Sequence, residues 1–254
     1  MCLILIAWRV HPDFPCVIAA NRDEFFDRPS APMAFWEDRP SLLAGRDLRA
    51  GGTWMGVTRT GRFAALTNFR EAEAPLPQAP SRGALVSDFL NANCSPAEYW
   101  RSCDTQAYRG FNLICGDLGG ELSHYSNRGG GEGQRLEAGI YGISNHLLDT
   151  PWPKVAQGKS ELAQALLSLP ADRKLFRLLR DDKIHDDADL PRTGVDLAWE
   201  RLLSAAFVRS ARYGTCSSTV LLLDGQGWLS ADEQSFLAQG EASRRQRFRF
   251  RLSH

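Results

Sequence analysis

The sequence predicts an α+β fold. Strand-like apolar runs come in groups joined by turns, and helix-like segments come in runs between those groups instead of alternating with single strands. The composition is globular: of 254 residues, 43% are hydrophobic and 24% charged, close to the average for folded domains. A chain this long forms one large domain or two small ones. No composition shift marks a boundary, so residues 1–254 are read as one domain.

Leu3–Trp8 is a continuous Ile- and Leu-rich run, too short for a helix, and predicts a strand buried on both faces. The turn His11-Pro12-Asp13-Phe14-Pro15 leads to a second apolar strand, Cys16–Asn21, and the two pair most simply as a hairpin. Residues 25–50 predict a loop, because Pro29, Pro32 and Pro40 break it. After Gly51-Gly52, strands over Thr53–Thr58 and Arg62–Asn68 flank a turn at Thr60-Gly61. Residues 71–80 are a Pro- and Ala-rich linker. Helices follow over Ser81–Asn93, where Leu85, Phe89 and Leu90 share a face, and over Pro96–Ala107, where Pro96 suits a first helical turn.

Phe111–Gly116, Glu121–Tyr125 and Gly139–Ser144 predict strands. Trp152–Leu169 predicts an amphipathic helix through Leu162, Leu166 and Leu169. Asp172–Arg180 and Val195–Val208 predict two more, separated by the acidic loop Asp181–Asp189. Ser218–Asp224 and Trp228–Ser230 form a strand pair around the turn Gly225–Gly227. At the end, Arg247, Arg249 and Arg251 alternate with Phe248, Phe250 and Leu252, the period of a strand with one apolar face.

Several function classes are excluded on this footing. Lys plus Arg and Asp plus Glu both number 30, so the formal net charge is zero. Such a chain has no global pull on nucleic acid or anionic lipid. Cys2, Cys16, Cys94, Cys103, Cys115 and Cys216 form no Cys-x-x-Cys pair and no zinc-ligand spacing. They read as reduced thiols of a cytoplasmic protein. Met1–Trp8 is apolar but shorter than a signal-peptide core or the roughly 20 residues of a membrane span. The five histidines show no ligand spacing, and Gly129-Gly130-Gly131 opens no phosphate-binding helix. No metal or cofactor is expected.

Cys2 is the first residue that could carry chemistry. Removal of Met1 would place its thiol and a free α-amine on one carbon. An α-amine titrates near pH 7.7–8.0 and can serve as general base to the thiol. A lone Cys2 is more often an ordinary apolar opening residue of a strand. Asn21-Arg22-Asp23-Glu24 would share a sheet edge with Cys2 if the first two strands pair. There Arg22 could lower the thiol pKa, and Asn21 or Asp23 could hold the amine. Strand alternation sends Asn21 and Asp23 one way and Arg22 and Glu24 the other. Asn68 and Asn145 each end an apolar strand, where an amide can donate to an oxyanion or simply form a turn.

Together, Met1-Cys2, Ala19-Ala20-Asn21-Arg22-Asp23-Glu24-Phe25, Gly51-Gly52-Thr53-Trp54, Ala64-Ala65-Leu66-Thr67-Asn68, Gly110-Phe111-Asn112-Leu113-Ile114, Tyr141-Gly142-Ile143-Ser144-Asn145, Leu148-Asp149-Thr150-Pro151-Trp152 and Tyr213-Gly214-Thr215 resemble one family. It is the NRDE-motif family, also called the transport and Golgi organisation protein 2 family, over nearly the whole chain. That family resembles the N-terminal-nucleophile (Ntn) hydrolases of the bile-salt hydrolase and penicillin V acylase branch. The resemblance implies a four-layer αββα sandwich of two stacked antiparallel sheets. It also implies Cys2 as nucleophile on a non-peptide amide, with Asn68 and Asn145 at the oxyanion and neighbouring positions. Ala20 and Cys216 stand where it would place arginines. The same resemblance admits a second role, a carrier of haem or of a lipid or acyl-CoA-type ligand on the same scaffold. His146, beside Asn145, is then the candidate haem contact at the presumed mouth of the site.

Overall fold

The computed structural model describes residues 2–72 and 79–253. Part of the expected 71–80 linker and the expected loss of Met1 lie outside them. One antiparallel sheet has six strands, in the order β10 (Gly139–Ile143), β1 (Cys2–Trp8), β2 (Cys16–Phe25), β11 (Tyr213–Leu223), β12 (Trp228–Phe236) and β13 (Ala242–Arg251). The other has seven: β3 (Ser30–Trp36), β4 (Arg39–Asp47), β5 (Met55–Thr58), β6 (Arg62–Asn68), β7 (Phe111–Asp117), β8 (Leu122–Ser126) and the short β9 (Gln134–Arg135). The helices are α1 (Gly83–Asn91), α2 (Pro96–Ser102), α3 (Pro153–Leu166), α4 (Arg173–Leu179) and α5 (Leu197–Leu202).

Three apolar clusters define the layers. Along β1, Ile4, Ile6 and Trp8 face the second sheet, where they meet Phe63, Ala65 and Ile114. Leu3, Leu5 and Ala7 face the other way, against Val155, Leu162 and Leu166 of α3 and Leu175 and Leu178 of α4. That alternation is the two-residue period of a strand buried on both sides. Burying a Leu or Ile side chain stabilises by about 1.5–3 kcal/mol, so β1 contributes to two interfaces at once. On the far side, Leu85, Val86 and Phe89 of α1 cover Leu66, Leu113 and Phe111. The order of layers is αββα.

The hairpin of β1 and β2 is in place, with Cys2 opposite Arg22 and Leu3 opposite Asn21. The largest correction concerns residues 25–50, which form the hairpin of β3 and β4 and not a loop. Proline is tolerated there because β3 is a sheet edge, which leaves half its backbone groups outside the ladder. Pro40 falls where the register slips between Phe35 and Trp36. Strand β12 runs past Ser230 to Phe236 despite Asp232, Glu233 and Gln234. Each acid is accommodated: Asp232 pairs with Arg245 at 2.7 Å and Arg247 at 2.9 Å, and Glu233 accepts from the Met33 N–H at 2.6 Å. Helix α5 covers only Leu197–Leu202 of the expected 195–208 segment, and α2 ends at Ser102. Gly52 and Gly83 touch so closely that a Cβ on Gly52 would lie 2.6 Å from the Gly83 carbonyl carbon. This draws the start of α1 against the segment before β5.

Candidate functional site

A cleft of about 890 Å³ opens at one end of the sandwich. Cys2 at the head of β1, Arg22 and Glu24 of β2, and Cys216 and Ser217 of β11 form part of its wall, and Leu66, Asn68 and Arg109 form another part. Cys2 is 7% exposed. It has the parity of Ile4, so its side chain belongs to the face between the sheets, as Arg22 does with Ala20. Burial pushes the Cys2 thiol up, and Arg22 and a backbone hydrogen bond from Asp23 pull it partly back. The net direction is upward, so the expected lowering by Arg22 is outweighed by desolvation. A buried thiol of this kind stays protonated at neutral pH and requires a base.

Asn21 and Asp23 occupy the opposite, helix-covered face. Asn21 is fully buried. Its amide donates to the carbonyls of Leu179 and Ala206, both at 2.8 Å, and its oxygen accepts from Ser218 at 2.6 Å. The side chain thus ties β2 to the ends of the helical layer and to β11, and is occupied away from Cys2. Asp23 is 2% exposed. Thr215 donates to its carboxylate at 2.7 Å. Burial raises this carboxyl, and Lys154, Thr215 and Arg70 oppose that. Between Thr215 and Ser217 the register of β11 slips against β2. The extra residue is Cys216, which stands beside Ser217 on the cleft wall as a bulge allows. Burial pushes its thiol up to about 11.

The two asparagines are joined. The Asn145 amide donates to the Asn68 backbone carbonyl at 3.0 Å, and the Ser144 hydroxyl donates to the Cys2 carbonyl at 3.0 Å. Asn68 lines the cleft, and Asn145 lies fully buried behind it. His146 is not at the mouth: its Nδ1 bonds Thr150 at 2.9 Å, and its ring packs on Phe69 and Trp152.

Sequence reasoning missed the charges beneath this pair. Arg70 and Glu200 form an ion pair at 2.6 Å with side chains 1% and 4% exposed. Lys154, 3% exposed, donates to the Leu203 carbonyl at 2.9 Å. Its ammonium is lowered to about 8, by burial first and then by Arg70, while Asp23 and Cys2 oppose the shift. A cation embedded in an otherwise apolar segment was the only signal available, and surface lysines give the same one. Among the described residues no cluster of three or more His, Cys, Asp or Glu could hold a metal.

The chain's relatives agree with this architecture. The family model for Transport and Golgi organisation 2 matches residues 1–238. The chain belongs to the Transport and Golgi organisation 2 family. It is 35% identical over 260 residues to the mouse Transport and Golgi organization 2 homolog, covering 93% of this chain and 94% of that protein. The human homolog matches at the same identity and coverage. Among solved structures it is similar to a Caenorhabditis elegans N-acylethanolamine-hydrolyzing acid amidase ortholog, with a TM-score of 0.51, 10% identity, and coverage of 87% of this chain and 92% of that one. At that identity the likeness is one of fold. The two stacked antiparallel sheets between helical layers are thus the fold that this chain shares with that amidase. Among the described residues no helix is long and apolar enough to cross a membrane.

Proposed function

We propose that this protein is an Ntn-type hydrolase of a small amide, with Cys2 as nucleophile once Met1 is removed. The observation that carries the reading is the position of Cys2: the first residue of β1, its thiol on the cleft face and its backbone nitrogen at the strand's open end. The two faces of β2 divide the work. Arg22 shares the thiol's face, and Asp23 lies on the other face within electrostatic range of Cys2, suited to an α-ammonium in the sheet plane. The fold neighbour's description as an acid amidase supports the same reaction class.

In the reaction the α-amine takes the thiol proton as sulfur bonds to the substrate carbonyl carbon. The carbonyl pair moves to oxygen, where the Asn68 amide donates. Collapse breaks the C–N bond, and the leaving amine takes the proton from the α-ammonium. Water then attacks the thioester and passes a proton to the α-amine; collapse breaks the C–S bond, and the departing sulfur takes that proton back from the α-ammonium, releasing acid and free thiol. Because burial raises the thiol, this base is required.

A carrier of haem or of a lipid or acyl-CoA-type ligand has no need for a thiol at the head of β1 on the cleft face, which favours the enzyme. The rest of the lining includes six arginines (Arg22, Arg28, Arg46, Arg82, Arg109 and Arg244) and the acids Asp23, Glu24, Asp47 and Glu233. The six free thiols suit the reducing cytoplasm. The test combines intact mass with turnover of a long-chain N-acylethanolamine and an N-acylglycine. The expected result is loss of Met1, with hydrolysis of at least one substrate that disappears in Cys2→Ala. Retention of Met1 in the native host, or equal turnover by Cys2→Ala, overturns the reading.

A further inference from the structure

Asn68 and Asn145 sit on different elements, and something must hold their amides in register. Asn68 ends β6, and Asn145 follows β10 in the other sheet. Two residues beyond Asn68, the Arg70 backbone N–H donates to the Asn145 carbonyl at 2.6 Å, while the Asn145 amide returns a bond to the Asn68 carbonyl. The two segments therefore clasp through a reciprocal pair of bonds. The Arg70 side chain anchors one side of the clasp. Its guanidinium meets Glu200 of α5 at 2.6 Å and the Leu203 carbonyl at 3.4 Å, and lies 4.6 Å from the Trp152 ring centroid. Trp152 packs on His146, and His146 on Phe69, so the ring stack closes around the same two segments. Ser144 completes the connection, bonding both the Cys2 carbonyl and the Asn145 side-chain oxygen.

We propose that Arg70 is a positioning residue for acyl transfer: its buried pair with Glu200 fixes the Asn68–Asn145 clasp, and through it the oxyanion donor, relative to Cys2. Arg70 touches no reacting atom, since its guanidinium is turned to α5 and away from the cleft. A planar fork suits this task better than an ammonium, because it bonds Glu200 and Leu203 together while lying over Trp152. The inference rests on the reading of Cys2 as nucleophile.

The two reactions of one thiol separate positioning from reactivity. In acylation by 4-nitrophenyl acetate, the sulfur–carbon bond forms, nitrophenolate leaves with the pair from the broken C–O bond, and the thiol proton passes to the α-amine. An oxyanion develops on the way. In alkylation by iodoacetamide, sulfur displaces iodide, the same proton is lost and no oxyanion forms. Both rates are to be measured at Cys2 by peptide mass spectrometry in wild type, Arg70→Met, Arg70→Lys and the doubly neutral Arg70→Met/Glu200→Met. The last variant leaves no unpaired buried charge and guards against misfolding of the single one.

The expected result is an acylation rate lowered about 10- to 100-fold in Arg70→Met and in the double variant, partly restored in Arg70→Lys, less than the roughly 10²- to 10³-fold of outright loss of an oxyanion donor, because the donor is displaced and not removed. Alkylation should stay within about twofold in the doubly neutral variant, which removes the Arg70 and Glu200 charges together and leaves Cys2 and its α-amine in place. Equal falls in both rates, or unchanged acylation in variants that remain folded by circular dichroism, overturn the inference while leaving Cys2 as nucleophile. Wild-type Cys2 that resists acylation altogether overturns the reading beneath it as well.

Discussion

At the level of single residues, partners far along the chain decide what each side chain near the cleft can do. Cys2, Arg22, Asp23 and Asn68 do converge on one end of the sandwich. Asn21 looks equivalent to Asp23 in sequence, two residues away on the same face. Its partners are carbonyls at the ends of α4 and the segment after α5, more than 150 residues later, and no local pattern encodes them. His124 is a further case of long-range environment. It is 7% exposed in the middle of β8, and its Nε2 lies 3.4 Å from the Asn112 side-chain oxygen. Asn112 in turn donates to Thr67 at 3.1 Å and the His146 carbonyl at 2.9 Å, behind the clasp. Burial lowers His124 from 6.5 to about 4. The unfolded chain therefore binds a proton that the folded one does not between those values, and stability is lost as pH falls through that window. The full loss attributable to this group is roughly 3 kcal/mol. Urea unfolding measured from neutral pH downwards should show it, and His124→Gln should flatten the slope.

At the level of elements, the strands that the sequence reveals are those buried on both faces. Leu3–Trp8 and Val220–Leu223, the latter within the predicted strand Ser218–Asp224, are unbroken apolar runs and were legible as such. Strands β3, β4 and the second half of β12 were not, because they lie at or near sheet edges and carry prolines and charges that edges tolerate. The C-terminal strand β13 was legible through its period of two. Phe248 and Phe250 turn inward, both against Phe35 with centroids 5.7 and 5.5 Å apart. Arg245 and Arg247 share Asp232 on the opposite face. Arg245 and Arg247 are thus ion-paired members of an edge strand, the structural role the alternation predicts. Deleting residues 242–254 should uncover the Phe35 ring and leave Asp232 unpaired. Loss of Phe250 burial alone costs about 1.5–3 kcal/mol. The truncated protein should melt earlier in a calorimetric scan and bind a hydrophobic dye, with no change in retention on heparin. An unchanged melting temperature with lost heparin retention would reverse that assignment.

At the level of the whole molecule, a zero net charge conceals a local imbalance that bears on substrate choice. Over the cleft lining, six arginines face four acids. Arg28 is matched by Asp47 at 2.7 Å, and Arg46 by Asp38 at 2.7 Å. Arg22 meets Glu24 only at 3.9 Å. Glu233 is 4% exposed, its carboxyl raised by burial although the Met33 N–H bond opposes this. Its carboxylate is turned to the Met33 N–H at 2.6 Å, whereas Asp47 pairs with Arg28 at 2.7 Å, so it offsets the cleft arginines less directly than Asp47 does. A concave, low-dielectric wall of one sign concentrates ligands of the other. Among amides of equal chain length, one ending in a carboxylate should therefore have a lower KM than its neutral amide-capped counterpart. Screening removes most of such an effect beyond a Debye length of about 10 Å at 0.1 M salt. Raising ionic strength should accordingly raise KM for the anionic substrate and leave the neutral one and both kcat values unchanged. If the two KM values respond alike to salt, the arginines serve the walls of the cleft and not its ligand.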